Sequence, residues 1–226
     1  MAPIVHGWLQ AGGLAVKSEF VSPWGICDLV GASLNPERVA HRLRLHQSRA
    51  VGSITRAALL LRIPDVEATR GISLARLTER LARAVPEHVV REEVERLISD
   101  RFVVLSKRGS LRRVNGWMPL HDRLVAVELK LSRIDEVLRQ ARRNLGFADE
   151  SYVALPSSNA RRVASGLQRW DSFMASGIGL LAVGTDRCEV LVRARPKPSG
   201  TDGAIQFYCV EKFWRNARYR TLATDS

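Results

Sequence analysis

Val125-Ala-Val-Glu-Leu-Lys-Leu131 constrains this 226-residue chain most, because it has the composition of a buried strand yet carries a carboxylate and an ammonium two residues apart. Side chains alternate along a strand, so Glu128 and Lys130 share one face and Val127, Leu129 and Leu131 the other. Desolvating two charges beside aliphatic neighbours costs on the order of several kcal/mol, a cost that a purely structural strand avoids. Upstream, Trp24-Gly-Ile-Cys-Asp-Leu-Val-Gly31 is a second apolar strand with one central acid, Asp28, and is expected to end at a glycine turn. Two carboxylates and a lysine on neighbouring strands make a site suited to Mg²⁺ and phosphate. The structural alternatives are a solvated Glu128/Lys130 ladder pair on an edge strand, and Asp28 as a turn acid capping the loop at Gly31.

Glu19 lies nine residues before Asp28, and Gln140 ten after Lys130. The ordered set Glu19, Asp28, Glu128, Lys130, Gln140 resembles the PD-(D/E)XK nuclease superfamily, the fold of many restriction endonucleases and of repair and recombination nucleases. The resemblance implies that Asp28 and Glu128 hold the metal, Mg²⁺ with Mn²⁺ as a substitute, and that Lys130 positions or deprotonates the attacking water. It also implies a glutamate on the preceding helix, matched by Glu19, and a glutamine on the following one, matched by Gln140. Glu19 would bind the metal indirectly or complete a second site. Gln140 would bond the substrate backbone or steady Lys130. Cys27 stands where the family's motif has proline. Outside the resemblance, Glu19 is a solvated helix charge and Gln140 an ordinary helix-surface residue. The implied reaction is phosphodiester hydrolysis, in which a metal polarises the phosphate and acidifies a bound water.

The net charge is +12, carried mostly by arginine. Such a surface attracts polyanions, and arginine matches phosphate bidentately, so DNA is the expected partner; arginine-rich codon bias gives the same composition. Three scattered cysteines, Cys27, Cys188 and Cys209, have neither disulfide nor zinc spacing. The first residues lack a signal-peptide pattern. The uncharged run 172–185 is shorter than the ~20 residues of a membrane span. A cytoplasmic protein with no membrane partner is expected.

Asp28 and Glu128 are 100 residues apart, far more than a hairpin needs, so a domain is expected between them over 36–115. Helical patterns run over 36–47, 53–62, 73–83 and 86–100, with Ser73 as an N-cap. Phe102-Val-Val-Leu-Ser106 and Leu111-Arg-Arg-Val114 flank Lys107-Arg-Gly-Ser110, a hairpin signal. Helices followed by a basic hairpin resemble a winged helix-turn-helix. On that resemblance the helix from Pro86 meets the major groove through His88 and Arg91, and Lys107, Arg108, Arg112 and Arg113 contact phosphates. Glu87, Glu92, Glu93 and Glu95 on the same helix oppose this, although residues 38–114 hold 17 Lys and Arg against 8 Asp and Glu. The alternative is a module that packs on the core or pairs two subunits.

After Lys130, a helix from about Ser132 carries Arg133, Arg139, Arg142 and Arg143, of which Arg139 and Arg143 are candidate nucleic-acid contacts. A strand over 151–155, a helix over 160–172 and strands over 177–184 and 188–194 follow, the pattern of a partly parallel sheet covered on both faces. The tail 207–220 interleaves Phe213, Trp214 and Tyr219 with Lys212, Arg215, Arg218 and Arg220, to stack bases or to dock on the core. The expected architecture is α/β: a restriction endonuclease-like mixed sheet flanked by helices, formed by 1–35 and 116–226, with a mostly helical winged-helix-like insertion over 36–115. The expected function is Mg²⁺-dependent DNA endonuclease. An RNA nuclease on the same core, a DNA-binding regulator, and a subunit of a larger defence or recombination complex are the alternatives; cutting both strands asks for a homodimer or two successive nicks.

Overall fold

The structure, a computed structural model, describes residues 1–114, 119–196 and 203–217. Arg218, Tyr219 and Arg220 of the expected tail lie outside the described residues, as do 116–118 at the expected domain boundary. In chain order the elements are α1 (Ala2–Ala11), β1 (Ala15–Ser22), β2 (Gly25–Leu34), α2 (Pro36–Arg44), α3 (Ile54–Arg62), β3 (Ile72–Ser73), α4 (Leu74–Leu81), α5 (Glu87–Ser99), β4 (Val103–Leu105), β5 (Ser110–Arg113), β6 (His121–Leu129), α6 (Ile134–Asn144), β7 (Glu150–Pro156), α7 (Ser157–Ser165), α8 (Leu167–Ser176), β8 (Gly179–Val183), β9 (Cys188–Val192) and α9 (Gly203–Glu211). Contacts divide them into two units: Met1–Leu34 with His121–Gln206, and Asn35–Leu120 with Phe207–Ser226.

The first unit is α/β. Its mixed six-stranded sheet has the order β1-β2-β6-β7-β8-β9, with β6, β7 and β8 parallel and the other pairings antiparallel. Parallel strands need cover on both faces, and the apolar runs of β6, β7 and β8 supply the matching surface. On one face Val5 and Leu9 of α1 pack with Leu29, Val125, Val127, Ala154 and Leu181. On the other, Val137, Leu138, Ala141, Ala160 and Phe173 pack with Val153, Leu155, Leu180 and Ala182. β6 lies inside this sheet, between β2 and β7, which removes the edge-strand alternative for Glu128. Gly31 is not a turn. It pairs with Val125 inside β2, where a Cβ would come within 3.0 Å of Leu14.

Two further expectations are corrected. Glu19 stands on β1 rather than on a helix. The helix expected over 160–172 is two helices, α7 and α8, broken at Gly166 (φ −97°, ψ 105°), where glycine favours leaving the helical region.

In the second unit, Asn35, Ser53 and Ser73 cap α2, α3 and α4 by accepting the backbone amides of Arg38, Arg56 and Arg76 at 3.1, 3.0 and 3.2 Å. The helices close over Leu59, Leu60, Leu77, Leu97, Phe102 and Leu111. A small sheet of order β3-β5-β4 completes the unit. The segment from Phe207, expected with the sheet unit, packs here instead: Phe207 joins this core, and Glu211 accepts Arg42 Nη2 at 3.0 Å and the Val51 amide at 2.7 Å.

Candidate active site

The β2–β6 ladder runs from Leu34 to the pair Leu29–Val127. One step further, Asp28 Oδ2 accepts the Leu129 amide at 2.6 Å, so a side chain takes the place of a backbone carbonyl at the point where the strands part. Among the described residues, the other oxygen of Asp28 receives no hydrogen bond. In the β1–β2 register, Glu19 falls between the pairs Ser18–Leu29 and Phe20–Cys27, which is across from Asp28. It is exposed, and its φ of 48° lies in the left-handed region.

Glu128 occupies the last buried position of β6, 3 % exposed. Oε1 accepts Asn144 Nδ2 of α6 at 2.7 Å. Burial pushes its carboxyl up from the ordinary range and the Asp28 charge adds to this, while the Asn144 hydrogen bond and Lys130 oppose it. No salt bridge reaches Glu128 among the described residues. The neighbouring Cys27 thiol donates to the carbonyls of Leu29 and Val127 at 3.4 and 3.6 Å and lies 3.5 Å from Asn144 Nδ2. Burial, then the Glu128 charge, holds its pKa well above the ordinary thiol value, so Cys27 is a protonated filler and not a nucleophile.

Lys130 follows the end of β6, its amide donating to Ala154 at 3.1 Å. Its half-buried ammonium lies 3.9 Å from Glu136 of α6, too long for a strong pair. Glu136, Gln140 and Asn144 are spaced four residues apart and so form one stripe of α6. Asn144 holds Glu128, Glu136 faces Lys130, and between them Gln140 has a fully buried Oε1 with no hydrogen-bond partner. An enclosed polar atom without a partner is uncommon and costly.

The structure thus brings Asp28, Glu128, Lys130 and Gln140 to one end of the sheet, with Glu19 in register beside Asp28. Asn144, Cys27 and Glu136 are the additions that sequence reasoning missed; the four-residue spacing from Gln140 was the available signal for two of them. No cluster of three or more His, Cys, Asp or Glu suited to a metal occurs among the described residues. Two carboxylates nonetheless fit a hard cation that retains waters and takes substrate oxygens. The buried Glu128, without a salt bridge among the described residues, is the observation in favour of that fit.

The candidate nucleic-acid residues divide. Arg139 and Arg143 are exposed on α6, with no side-chain partner among the described residues. On α5, His88 is exposed, but Arg91 is tied to Glu87 at 2.6 Å. Glu93 is buried against Arg56 and does not face solvent, whereas Glu87, Glu92 and Glu95 do. Arg112 donates to the carbonyls of Val66 and Thr69, both at 3.3 Å. Arg113 reaches the Leu60 carbonyl at 3.4 Å and Asp65 at 3.6 Å. These two arginines brace the 60–70 segment, and Lys107 and Arg108 are left exposed at the β4–β5 turn.

No helix among the described residues is long and apolar enough to cross a membrane. No family model matches the chain, and no curated protein does. Among solved structures, a protein of unknown function from Silicibacter pomeroyi is similar over 99 % of this chain and 89 % of that one, at 13 % identity and a TM-score of 0.42. That likeness carries no functional argument.

Proposed function

We propose that this chain is a divalent-metal-dependent DNA endonuclease whose site is built from Asp28, Glu128, Lys130 and Gln140. The observation that carries the reading is Glu128: a glutamate 3 % exposed, beside a second carboxylate and without a cationic partner among the described residues. A buried charge without a partner is strongly disfavoured, and a bound cation removes that penalty. The element order α1-β1-β2-β6-α6-β7, with residues 35–120 spliced in between β2 and β6, supports the PD-(D/E)XK resemblance.

On this reading Asp28 and Glu128 hold Mg²⁺ or Mn²⁺. The cation, when bound, polarises the scissile phosphate and acidifies a water. Lys130, only loosely engaged by Glu136, turns to the water or to the phosphoryl oxygens. The Gln140 carboxamide steadies that ammonium or the substrate backbone. Arg139 and Arg143, exposed on α6, contact flanking phosphates. Water adds across the P–O bond, its hydroxyl going to phosphorus and its proton to the leaving oxygen. One such site cuts one strand, so a double-strand break requires a second copy or a second event.

In the other unit, the order α3-β3-α4-α5-β4-β5 supports a winged-helix-like module. The acidic solvent face of α5 weighs against entry into a groove, which leaves Lys107 and Arg108 as its phosphate contacts.

The test is incubation of the purified chain with supercoiled plasmid, with and without Mg²⁺ or Mn²⁺, beside Glu128→Gln and Lys130→Met. Metal-dependent nicking that each substitution lowers by ~10²-fold or more is expected, the scale of losing a transition-state electrostatic contact. Cutting that persists in Glu128→Gln, or none by the wild type, rejects the reading.

A further inference from the structure

Asn144 is the last residue of α6, 6 % exposed, and nothing in the expected constellation assigns it a role. A buried carboxamide at a helix end is a poor structural choice, since both its N–H groups and its oxygen require partners. Here the Nδ2 group is directed at two strands at once: Glu128 Oε1 of β6 at 2.7 Å and Cys27 Sγ of β2 at 3.5 Å. These strands meet again through the Cys27 thiol and the Val127 carbonyl at 3.6 Å. The amide therefore sits where β2 and β6 part, one residue from Asp28 along one strand and directly on Glu128 of the other.

Van der Waals packing does not require an amide here. A leucine has the same branched skeleton with bulkier methyl ends, and the surroundings are apolar, with Val137, Leu138 and Ala141 of α6 and Leu145 just beyond it in the core. What leucine lacks is a neutral donor. A neutral donor has a particular merit beside a metal ligand. It fixes one carboxylate oxygen in place but leaves the negative charge uncancelled, whereas an arginine or lysine there would compete with a cation.

We infer that Asn144 is a positioning residue which, by donating Nδ2–H to Glu128 Oε1, fixes the Glu128 carboxylate relative to Asp28 and so sets the divalent-metal affinity of the pair. The inference rests on the metal-site reading given under Proposed function. It makes Asn144 the outer partner of a metal-ligating carboxylate, and loss of such partners typically costs about 10–100-fold in metal affinity.

The test is direct titration of the full chain with Mn²⁺ by calorimetry, without substrate, on wild type, Glu128→Gln, Asn144→Leu and Gln206→Met. Gln206→Met is the control, because it removes a comparable amide-to-carboxylate hydrogen bond, Gln206 Nε2 to Asp149 Oδ1 at 2.8 Å, from a carboxylate outside the site. The expected result is Mn²⁺ binding by wild type and by Gln206→Met, loss in Glu128→Gln, and about 10-fold or more weakening in Asn144→Leu. Wild-type affinity in a folded Asn144→Leu overturns the inference and leaves the metal site standing. A wild type that binds no Mn²⁺ overturns the metal-site reading and the inference with it. Should Asn144→Leu fail to fold, the Asn144 side-chain amide resonances of the wild type decide the matter. They move on Mg²⁺ addition if the amide acts through Glu128, and resonances that stay fixed while Mg²⁺ binds overturn the inference.

Discussion

Glu128 and Glu211 are the same residue type at nearly the same burial, 3 % and 2 % exposed, and their surroundings differ in kind. Glu211 is gripped by the Arg42 guanidinium, at 2.5 Å and 3.0 Å to its two oxygens, and accepts the Val51 amide at 2.7 Å. Arg42 in turn lies over the rings of Phe102 and Trp214 at 4.8 and 4.0 Å. Every charge there has its opposite. Glu150 at the start of β7 repeats the pattern, with Arg123 at 2.7 Å on each oxygen. Glu128 has a neutral amide, the Cys27 thiol and a second acid, and feels the Lys130 charge without a salt bridge among the described residues. Among the described residues, Glu211 and Glu150 are closed off by arginine, whereas Glu128 has no salt bridge, and the proposed site is centred on it for that reason.

The comparison breaks most visibly at Glu211. Arg42→Met leaves that carboxylate buried without its cation, and is expected to cost about 3–5 kcal/mol in a urea titration. Glu128→Gln, which removes a buried carboxylate instead of stranding one, is expected to cost nothing at neutral pH, because no cation loses its partner. Equal losses in the two titrations would mean that Glu128 has a structural partner after all.

Metal sharpens the contrast next. At about 100 times its dissociation constant, Mn²⁺ stabilises a binding-competent fold by about 2.7 kcal/mol. Wild type and Glu211→Gln should both gain this in thermal melts, whereas Glu128→Gln and Asp28→Asn should gain nothing. A gain that survives in Glu128→Gln puts the cation elsewhere.

The pH dependence without metal has a definite sign. Burial raises the Glu128 carboxyl in the folded state, so the native protein binds that proton more tightly than the unfolded chain does. Stability therefore declines as pH rises from the unfolded carboxylate range through the folded pKa. Glu128→Gln removes this part of the decline. It should match wild type in acid and exceed it at neutral pH, as followed by denaturant midpoints across the range. A variant that is less stable at neutral pH and equal in acid has the opposite sign and contradicts an unpaired Glu128.

Legibility of the sequence followed the range of the forces involved. The apolar runs of β6, β7 and β8 were readable because burial on both faces writes itself into consecutive letters. Asp28, Glu128 and Lys130 stood out as charges interrupting such runs. Asn144 was harder to read for the opposite reason: its four-residue spacing from Gln140 was visible, but a polar residue near a helix end looks solvated until the helix is placed on its sheet. Gly166 did carry a signal, a glycine within a helical pattern, and it marks the real break between α7 and α8. The pairing of Arg42 with Glu211, 169 residues apart, has no local trace, which is why the segment from Phe207 was expected with the wrong unit. Glu19 was misplaced because the short alternation of β1 is weak beside the helical glutamate that the resemblance implied.

Glu19 gives the smallest predicted effect and the finest test of the site's extent. A non-glycine residue at φ 48° sits where its Cβ crowds the backbone, at a cost of about 1–2 kcal/mol. Glycine adopts that region freely but gives back part of the gain through its larger unfolded-state entropy. Glu19→Gly is therefore expected to stabilise the chain by about 0.5–1 kcal/mol, and Glu19→Ala, which keeps the Cβ, to leave stability nearly unchanged. His46, Arg101 and Arg133 also hold a positive φ, so the strain alone does not mark a site; the proposed site would use the Glu19 carboxylate because it is exposed and in register with Asp28. Both substitutions should then lower plasmid cleavage while the melting temperature of Glu19→Gly rises, the trade-off seen where a strained residue serves a site. A Glu19→Gly protein that is both more stable and fully active would confine the site to Asp28, Glu128, Lys130 and Gln140.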